Sequence, residues 1–283
     1  MALEGYKSPF DEKDRERHEE AAKKQKEEQA NEFRVDLNAY SSVKNVIGVV
    51  SGNGGVGKSM VTASLANLLA EMGYEVGIMD ADITGPSIPG MYGLKGQTGA
   101  DENGIYPMIT ENGIKVISLN LLLDNPRQAV VWRGPVIAGV VKQFWSDVVW
   151  GELDYLLIDM PPGTGDVPLT VFQSIPVDGI MIVTSPQELV SMIVGKALNM
   201  AQLMQIPVLG VVENFSYLIC PDCGRKIELF GKSHAQEVAN EAGIDLLARI
   251  PLDPAMSEKA DDGTFWQVSC AELKDAVSRI CRS

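Results

Sequence analysis

Residues 52–59, Gly-Asn-Gly-Gly-Val-Gly-Lys-Ser, match the spacing G-x-x-x-x-G-K-[ST] and lie between an apolar run, VIGVVS (46–51), and a helix-forming stretch, MVTASLANLLAEMG (60–73). That pattern suits a phosphate chain. Gly52, Gly54, Gly55 and Gly57 let the backbone turn tightly and aim its N–H groups inward, while the start of the following helix adds partial positive charge. Lys58 should reach the β- and γ-phosphates, and Ser59 should offer its hydroxyl to Mg²⁺. Gly52, Asn53, Gly54, Gly55, Val56, Gly57, Lys58, Ser59 and Met60 therefore form the candidate nucleotide-binding segment.

Three acids fall where phosphoryl chemistry needs them. Asp159 closes the run YLLID (155–159) and suits a Walker B role, holding Mg²⁺ directly or through water. Asp80 and Asp82 follow the run VGIMD (76–80), and strand alternation places them on one side with Ala81 on the other. Asp80 is a candidate Mg²⁺ ligand alongside Ser59 and Asp159; Asp82 is a candidate for orienting the attacking water. The alternative is a pair of solvated loop acids. The loop PPGTGD (161–166) has the prolines and glycines of a stiff segment that brings N–H groups to a γ-phosphate. The expected activity is nucleotide hydrolysis with Lys58, Asp82 and Asp159 as the catalytic set.

A second chemistry lies at Cys220-Pro221-Asp222-Cys223-Gly224. A C-x-x-C turn with Gly behind it lets both thiolates face one metal. A tetrahedral all-sulfur site needs four donors, so two chains related by a twofold axis would complete either a 4Fe-4S cluster or a zinc site. A thioredoxin-like redox pair fits less well, because the motif does not open a helix after a strand. His234 is a conceivable third ligand, but within GKSHAQEVANEA it reads as a helix-surface residue. Cys270 recurs with Leu273, Val277 and Ile280 at helical spacing, with Cys281 beside the last, so both read as small buried hydrophobes. Met192, Met200 and Met204 on a helix at 188–204 read as core filler or a subunit face.

These residues need a scaffold. The runs at 46–51, 76–80, 115–119, 155–159, 180–184 and 208–214 are short and apolar on both alternations, as in strands of a parallel sheet buried on both faces. Amphipathic helices lie between them; the segment 135–150 puts Ile137, Val141, Phe144 or Trp145, and Val148 on one stripe. The fold class expected is α/β, a doubly wound and mostly parallel sheet of the P-loop NTPase kind, with ligands beyond the carboxyl ends of the strands. Residues 1–39 read as a charged arm, an exposed helix or disordered, and residues 40–283 as one ATPase domain with a small insertion carrying the cysteines near 216–231.

Charge narrows the partners. The chain has 24 Lys plus Arg against 38 Asp plus Glu, a net −14, of which residues 1–35 hold eight bases and ten acids and so only −2. The acidity belongs to the body, which argues against nucleic acid as a partner. No run approaches the ~20 apolar residues that span a bilayer. The N-terminus lacks the apolar segment of a signal peptide, so a cytoplasmic protein is expected.

With these segments in view the resemblance is specific. SGNGGVGKS (51–59), DADITGPSIPGMYG (80–93), WRGP (132–135), DMPPGTGD (159–166), ENFSYLICPDCG (213–224) and IPLDP (250–254) together resemble the Mrp/ApbC group of iron-sulfur carrier ATPases, relatives of the partitioning and septum-site ATPases of the deviant-Walker class. The similarity runs from about residue 40 to 270. It implies a homodimer with ATP near the subunit boundary, and a 4Fe-4S cluster bridged by Cys220 and Cys223 of each chain. It also implies receipt from an assembly scaffold and delivery to apo-proteins. Asn214 matches the adenine-reading Asn of the class, and Pro251 to Asp253 match a stretch near ribose and base. The arm lacks the four-cysteine motif of the eukaryotic scaffold branch, and the C-terminus does not resemble the amphipathic membrane anchor of septum-site ATPases.

One position departs from the group. Where the class carries a second lysine that crosses the dimer to the partner's phosphates, this chain has Asn53, which is uncharged and shorter. Nucleotide binding through Lys58 should persist while hydrolysis slows, or while nucleotide acts mainly as a conformational ligand. The alternative function is a positioning or regulatory ATPase with zinc as a structural staple at the cysteines.

Overall fold

The computed structural model describes residues 34–82, 85, 87–122, 134–186 and 190–282. Chain order begins with β1 (Ser42–Ser51), α1 (Lys58–Glu71), β2 (Val76–Asp80) and α2 (Ile88–Met91). A small antiparallel pair follows, β3 (Ala100–Asp101) with β4 (Gly104–Ile105), then β5 (Met108–Ile109) and β6 (Lys115–Ser118). Next come α3 (Gly134–Ser146), β7 (Glu152–Asp159), α4 (Asp166–Ser174), β8 (Gly179–Thr184) and α5 (Val190–Met204). The last part holds β9 (Val208–Ile219), β10 (Lys226–Ile227), α6 (Ala235–Ala242), β11 (Leu246–Pro251), α7 (Pro254–Asp261) and α8 (Lys274–Ile280).

The main sheet runs β10-β9-β8-β1-β7-β2-β6-β5, with β11 also paired to β9. Only β5 and β10 are antiparallel to their neighbours; every other pairing in this sheet is parallel. Both faces are covered, as the unbroken apolar runs require. On β1, Ile47 and Val49 point into a core shared with α1 and α8, while Val46 and Val50 point into a second core shared with α3, α4 and α5. Two-residue alternation thus feeds two layers of helix, which is the doubly wound arrangement expected.

Ten of the fourteen residues of α1 are buried, so this helix has no solvated face to speak of. Its small residues Ala63, Ser64 and Ala66 let it lie close against the sheet. Asn67, wholly buried on the same helix, donates to the carbonyls of Phe265 at 2.8 Å and Val268 at 2.9 Å, tying the chain's last part to the helix that begins at Lys58.

Some boundaries differ from the pattern. The helical stripe drawn over 135–150 ends at Ser146: Val148 is buried through a bridge to Ile105, whose N–H donates to the Asp147 carbonyl. A strand bridge supplied the last apolar residue of what read as a helix face. Residues 1–33 of the expected arm, Trp132 and Arg133 of WRGP, and Gln187 to Leu189 lie outside the described residues. The body begins earlier than residue 40, because the Val35 N–H donates to Ser174 and its carbonyl accepts from Trp145 Nε1 at 2.9 Å. Among the described residues no helix is long and apolar enough to cross a membrane.

Candidate nucleotide site and cysteine hairpin

The phosphate loop is built as its glycines suggest. Gly55 and Gly57 hold φ values of 85° and 74°, in the left-handed region that side chains resist, and Gly57 hands the chain directly into α1. A Cβ on Gly57 would sit 2.2 Å from Asn214 Nδ2 and 2.9 Å from the Phe215 ring. The loop is therefore clamped from behind by β9. In front of it opens a cleft of about 610 Å³, lined by residues 53–60 and, from other elements, by Asp82, Ser87, Met91, Pro162 and Asp261.

Beneath that cleft the charged groups converge on Asp159, which is fully buried. Lys58 Nζ lies 2.7 Å from its Oδ1, Ser59 Oγ donates to its Oδ2 at 2.5 Å, and Thr62 Oγ1 lies 2.8 Å from Oδ1. Asp80 stands directly across from Asp159 in the β2–β7 register and is itself buried, with Oδ2 lacking a hydrogen-bond partner. Burial, and then the neighbouring Asp159 charge, holds the Asp80 carboxyl well above the usual carboxylate range. Asp82 lies past the end of β2 on the cleft wall, its N–H donating to Asp80 Oδ1 at 3.2 Å. The PPGTGD loop folds back onto the start of the phosphate loop, the Gly163 N–H donating to the Ser51 carbonyl at 2.8 Å.

Asn214 and the 251–253 stretch take different places. Asn214 is buried and donates Nδ2 to the Val56 carbonyl at 3.0 Å, so it braces the phosphate loop. It stands in an irregular part of β9: from Glu213 to Tyr217 this strand advances four residues while β11 advances two, from Arg249 to Pro251. In that bulge Phe215 adopts φ 55°. Pro251 ends β11, and Asp253 caps α7 by accepting from the Ala255 N–H at 2.9 Å. These two line a separate cleft of about 400 Å³ with Met256, Lys259 and Glu272, and are not brought into the phosphate cleft.

The cysteines close a hairpin. Beyond Ile219, Cys220 donates its N–H to the Arg225 carbonyl and accepts from the Gly224 N–H, both at 2.9 Å, and β10 then pairs back on β9. Gly224 makes the turn at φ 69°. Cys220 is half-buried and Cys223 exposed, and both are free. Backbone N–H groups of Cys223 and Asp222, with the Cys223 thiol, pull the Cys220 thiol below its ordinary value. Among the described residues no group of three or more His, Cys, Asp or Glu could hold a metal. His234 lies on the surface just before α6, 2.8 Å from Glu237. Exposed Ile219, Leu229 and Phe230 come from the same part of the chain.

The remaining cysteines pack. Cys270 is buried and its thiol pushed up to about 12, chiefly by burial, and Cys281 sits half-buried against the core. Of the methionines, Met200 is buried and Met204 packs against the core, whereas Met192 is half exposed. Two site features escaped sequence reading. Thr62 is marked only by being one helical turn beyond Lys58, and Glu213 only by being an acid at the end of an apolar run.

A mostly parallel, doubly wound sheet with a Gly-rich loop at the end of its central strand β1, and carboxylates at the ends of β7 and β2, the next two strands on one side of it, defines a P-loop NTPase of the MinD/ParA type. The chain belongs to the iron-transfer branch of that class, the Mrp/ApbC group: residues 42–283 match the family described as "ParA: NUBPL iron-transfer P-loop NTPase". It is 47% identical over 246 residues to the iron-sulfur cluster carrier protein of Methanocaldococcus jannaschii, covering 85% of each chain. It is 48% identical over 232 residues to the protein of the same name from Clostridium perfringens, covering 79% of this chain and 81% of that one. A nucleotide-binding protein from Archaeoglobus fulgidus, solved in complex with ADP and with cobalt found in it, superposes with a TM-score of 0.75 at 44% identity, covering 82% of this chain and 91% of that one. The septum site-determining protein MinD of Pyrococcus horikoshii, with Mg-ADP, superposes with a TM-score of 0.54 at 22% identity over 84% of this chain and 95% of that one, a likeness of fold.

Proposed function

We propose that this protein is an ATP-hydrolysing carrier that holds an iron-sulfur cluster between the Cys220 and Cys223 pairs of two identical subunits and delivers it to apo-proteins. The observation that carries this reading is the hairpin itself: two free thiols, one exposed and one half-buried with a lowered pKa, with no third ligand beside them among the described residues. Such a half-site suits a cargo that must be released, since a closed four-ligand set in one chain would retain it. The exposed apolar side chains Ile219, Leu229 and Phe230 support burial of this region against a second copy. The names of the relatives point to the same cargo.

At the other site the residues present fit a nucleotide with a divalent cation. Ser59 Oγ, Asp159 and the unpartnered Asp80 Oδ2 form an all-oxygen donor set beneath the cleft, the chemistry Mg²⁺ prefers. When bound there, Mg²⁺ would neutralise charge on the β- and γ-phosphates. Lys58 turns from Asp159 to the phosphates, the backbone N–H groups of the loop hold them, and Asp82 on the cleft wall orients the attacking water. Asn214, which braces the loop from behind, would also read the adenine, and Pro251 and Asp253, which line a neighbouring cleft, would come near ribose and base only with nucleotide bound. Asn53, exposed at the loop's outer edge, cannot supply the second cation of the class, so hydrolysis is slow.

Anaerobic reconstitution with iron and sulfide, followed by transfer to an apo acceptor, tests the proposal. A brown dimer that activates the acceptor is expected, and Cys220→Ala with Cys223→Ala should abolish iron while sparing ADP binding. Stoichiometric zinc without transfer would leave the cysteines as a structural staple and overturn it.

A further inference from the structure

The charged cluster on the far side of the β9 bulge serves neither the phosphates nor the thiols directly. Glu213 is fully buried at the end of an apolar strand run. Its Oε2 accepts from Ser216 Oγ and from Arg249 Nε at 3.2 Å, and its Oε1 accepts from Ser233 Oγ at 2.7 Å. Arg249 Nε also lies 2.8 Å from Ser216 Oγ, and its Nη2 reaches Glu228 Oε1 at 3.4 Å. An apolar filling would serve stability as well as a buried ion pair does; what a fully bonded one adds is a fixed arrangement of the segments that supply it.

Those segments are informative. Glu228 and Ser233 belong to the limb by which the chain returns from the cysteine turn to α6. The outgoing limb is held too, with Lys226 Nζ 3.8 Å from the Tyr217 ring centroid. On the other side of the same bulge, next in sequence to Glu213, Asn214 holds the Val56 carbonyl and Phe215 backs Gly57. One short stretch of β9 thus touches the phosphate loop with two residues, while of the two that flank them Glu213 bonds Ser233 of the return limb directly and Ser216 reaches that limb through Arg249 and Glu228. Along the strand, Cys220 is six residues beyond Asn214, about 20 Å of extended chain.

We infer that Glu213, Ser216, Ser233 and Arg249 are positioning residues that transmit the state of the phosphate loop to the cysteine hairpin, so that bound nucleotide changes how tightly the thiols hold their cargo. This deepens the carrier reading and rests on it. A rearrangement at Val56 and Gly57 shifts Asn214 and Phe215, and the rigid Glu213–Arg249 cluster passes that shift to the return limb rather than letting the bulge absorb it.

The test uses the full-length protein loaded with cluster anaerobically, with loss of cluster to a chelator followed by visible absorbance, with and without a non-hydrolysable ATP analogue. In the unaltered protein the two rates should differ by a factor in the usual range of coupling, about 5- to 150-fold. In Glu213→Gln the factor should fall to about onefold, in Ser233→Ala it should fall partway, and the conservative Arg249→Lys, which keeps the charge, should retain most of it. Cluster loading and ADP affinity should stay within about twofold throughout, an outcome a merely structural role for the cluster would not give. Retention of the full factor in both Glu213→Gln and Ser233→Ala overturns the inference. Should Glu213→Gln fail to fold, Ser233→Ala alone decides, since it removes only the bond to Glu213 and the one accepted from the Ala235 N–H. An unaltered protein that takes up no cluster defeats the carrier reading itself; one that takes it up but loses it at the same rate with and without nucleotide defeats only the coupling.

Discussion

Replacing Gly57 by Ala separates two costs that the phosphate loop imposes. At φ 74° a left-handed residue with a Cβ costs about 1–2 kcal/mol. The same Cβ, 2.2 Å from Asn214 Nδ2, must displace that amide from the Val56 carbonyl and leave a buried donor unsatisfied, a further cost of about 1–3 kcal/mol. Gly73 provides the control. It follows α1 at φ 87°, and a Cβ added there would meet nothing within 4 Å, so Gly73→Ala carries the backbone cost alone, about 1–2 kcal/mol. Urea unfolding without nucleotide should place Gly57→Ala about 2–5 kcal/mol below the unaltered protein. Calorimetric titration should find ADP bound about 5- to 150-fold more weakly by Gly57→Ala, since the extra ~1–3 kcal/mol falls on the loop that holds it, at about 1.4 kcal/mol per tenfold. Gly73→Ala should bind ADP normally. Equal losses of stability in the two variants, with ADP affinity intact in both, would refute the account of Asn214 as the clamp behind the loop.

Thr62→Val removes a hydroxyl 2.8 Å from the buried Asp159 carboxylate and should cost about 1.5–3 kcal/mol in urea unfolding; an unchanged midpoint would show that Asp159 does not need it. Asn53→Lys puts a cation at the loop's edge, and if Asn53 slows hydrolysis as proposed, steady-state phosphate release should rise; no rise refutes that proposal. The lowered Cys220 pKa means that, as pH falls below about 9, Cys220 keeps a larger thiolate fraction than an ordinary cysteine. Mass-mapped iodoacetamide labelling near neutral pH should therefore modify Cys220 faster in the folded protein than in urea, with Cys270, pushed up to about 12, unlabelled until unfolding. Labelling of Cys220 at the same rate in both states would remove the turn's N–H groups as its activator.

The phosphate loop was legible because its chemistry is local: glycines, Lys58 and Ser59 lie within eight consecutive positions and act from the backbone they sit on. The doubly wound sheet was legible because strands buried on both faces leave unbroken apolar runs. β11 escaped because LLARIP has only Ala248 and Ile250 fully buried and carries a charge at Arg249. Its role depends on pairing with β9, a contact between chain segments far apart in sequence. The helix expected through residue 150 was extended by Val148, whose burial comes from a strand bridge. Thr62 and Glu213 were hidden for one reason: each gains its meaning from a partner more than thirty positions away, Asp159 for Thr62 and Arg249 for Glu213.

With Lys58 held by Asp159 at 2.7 Å, the site carries its own counter-ion. An incoming phosphate competes for this ammonium with a carboxylate already in place. Asp159, once released by Lys58, is an uncompensated negative charge in a dry setting unless a cation arrives at the same time. On the proposed reading, phosphate and cation raise each other's affinity, and reciprocity makes the two enhancements equal. A lone anion has to part this ion pair unaided, whereas a nucleotide arriving with its cation leaves both partners compensated.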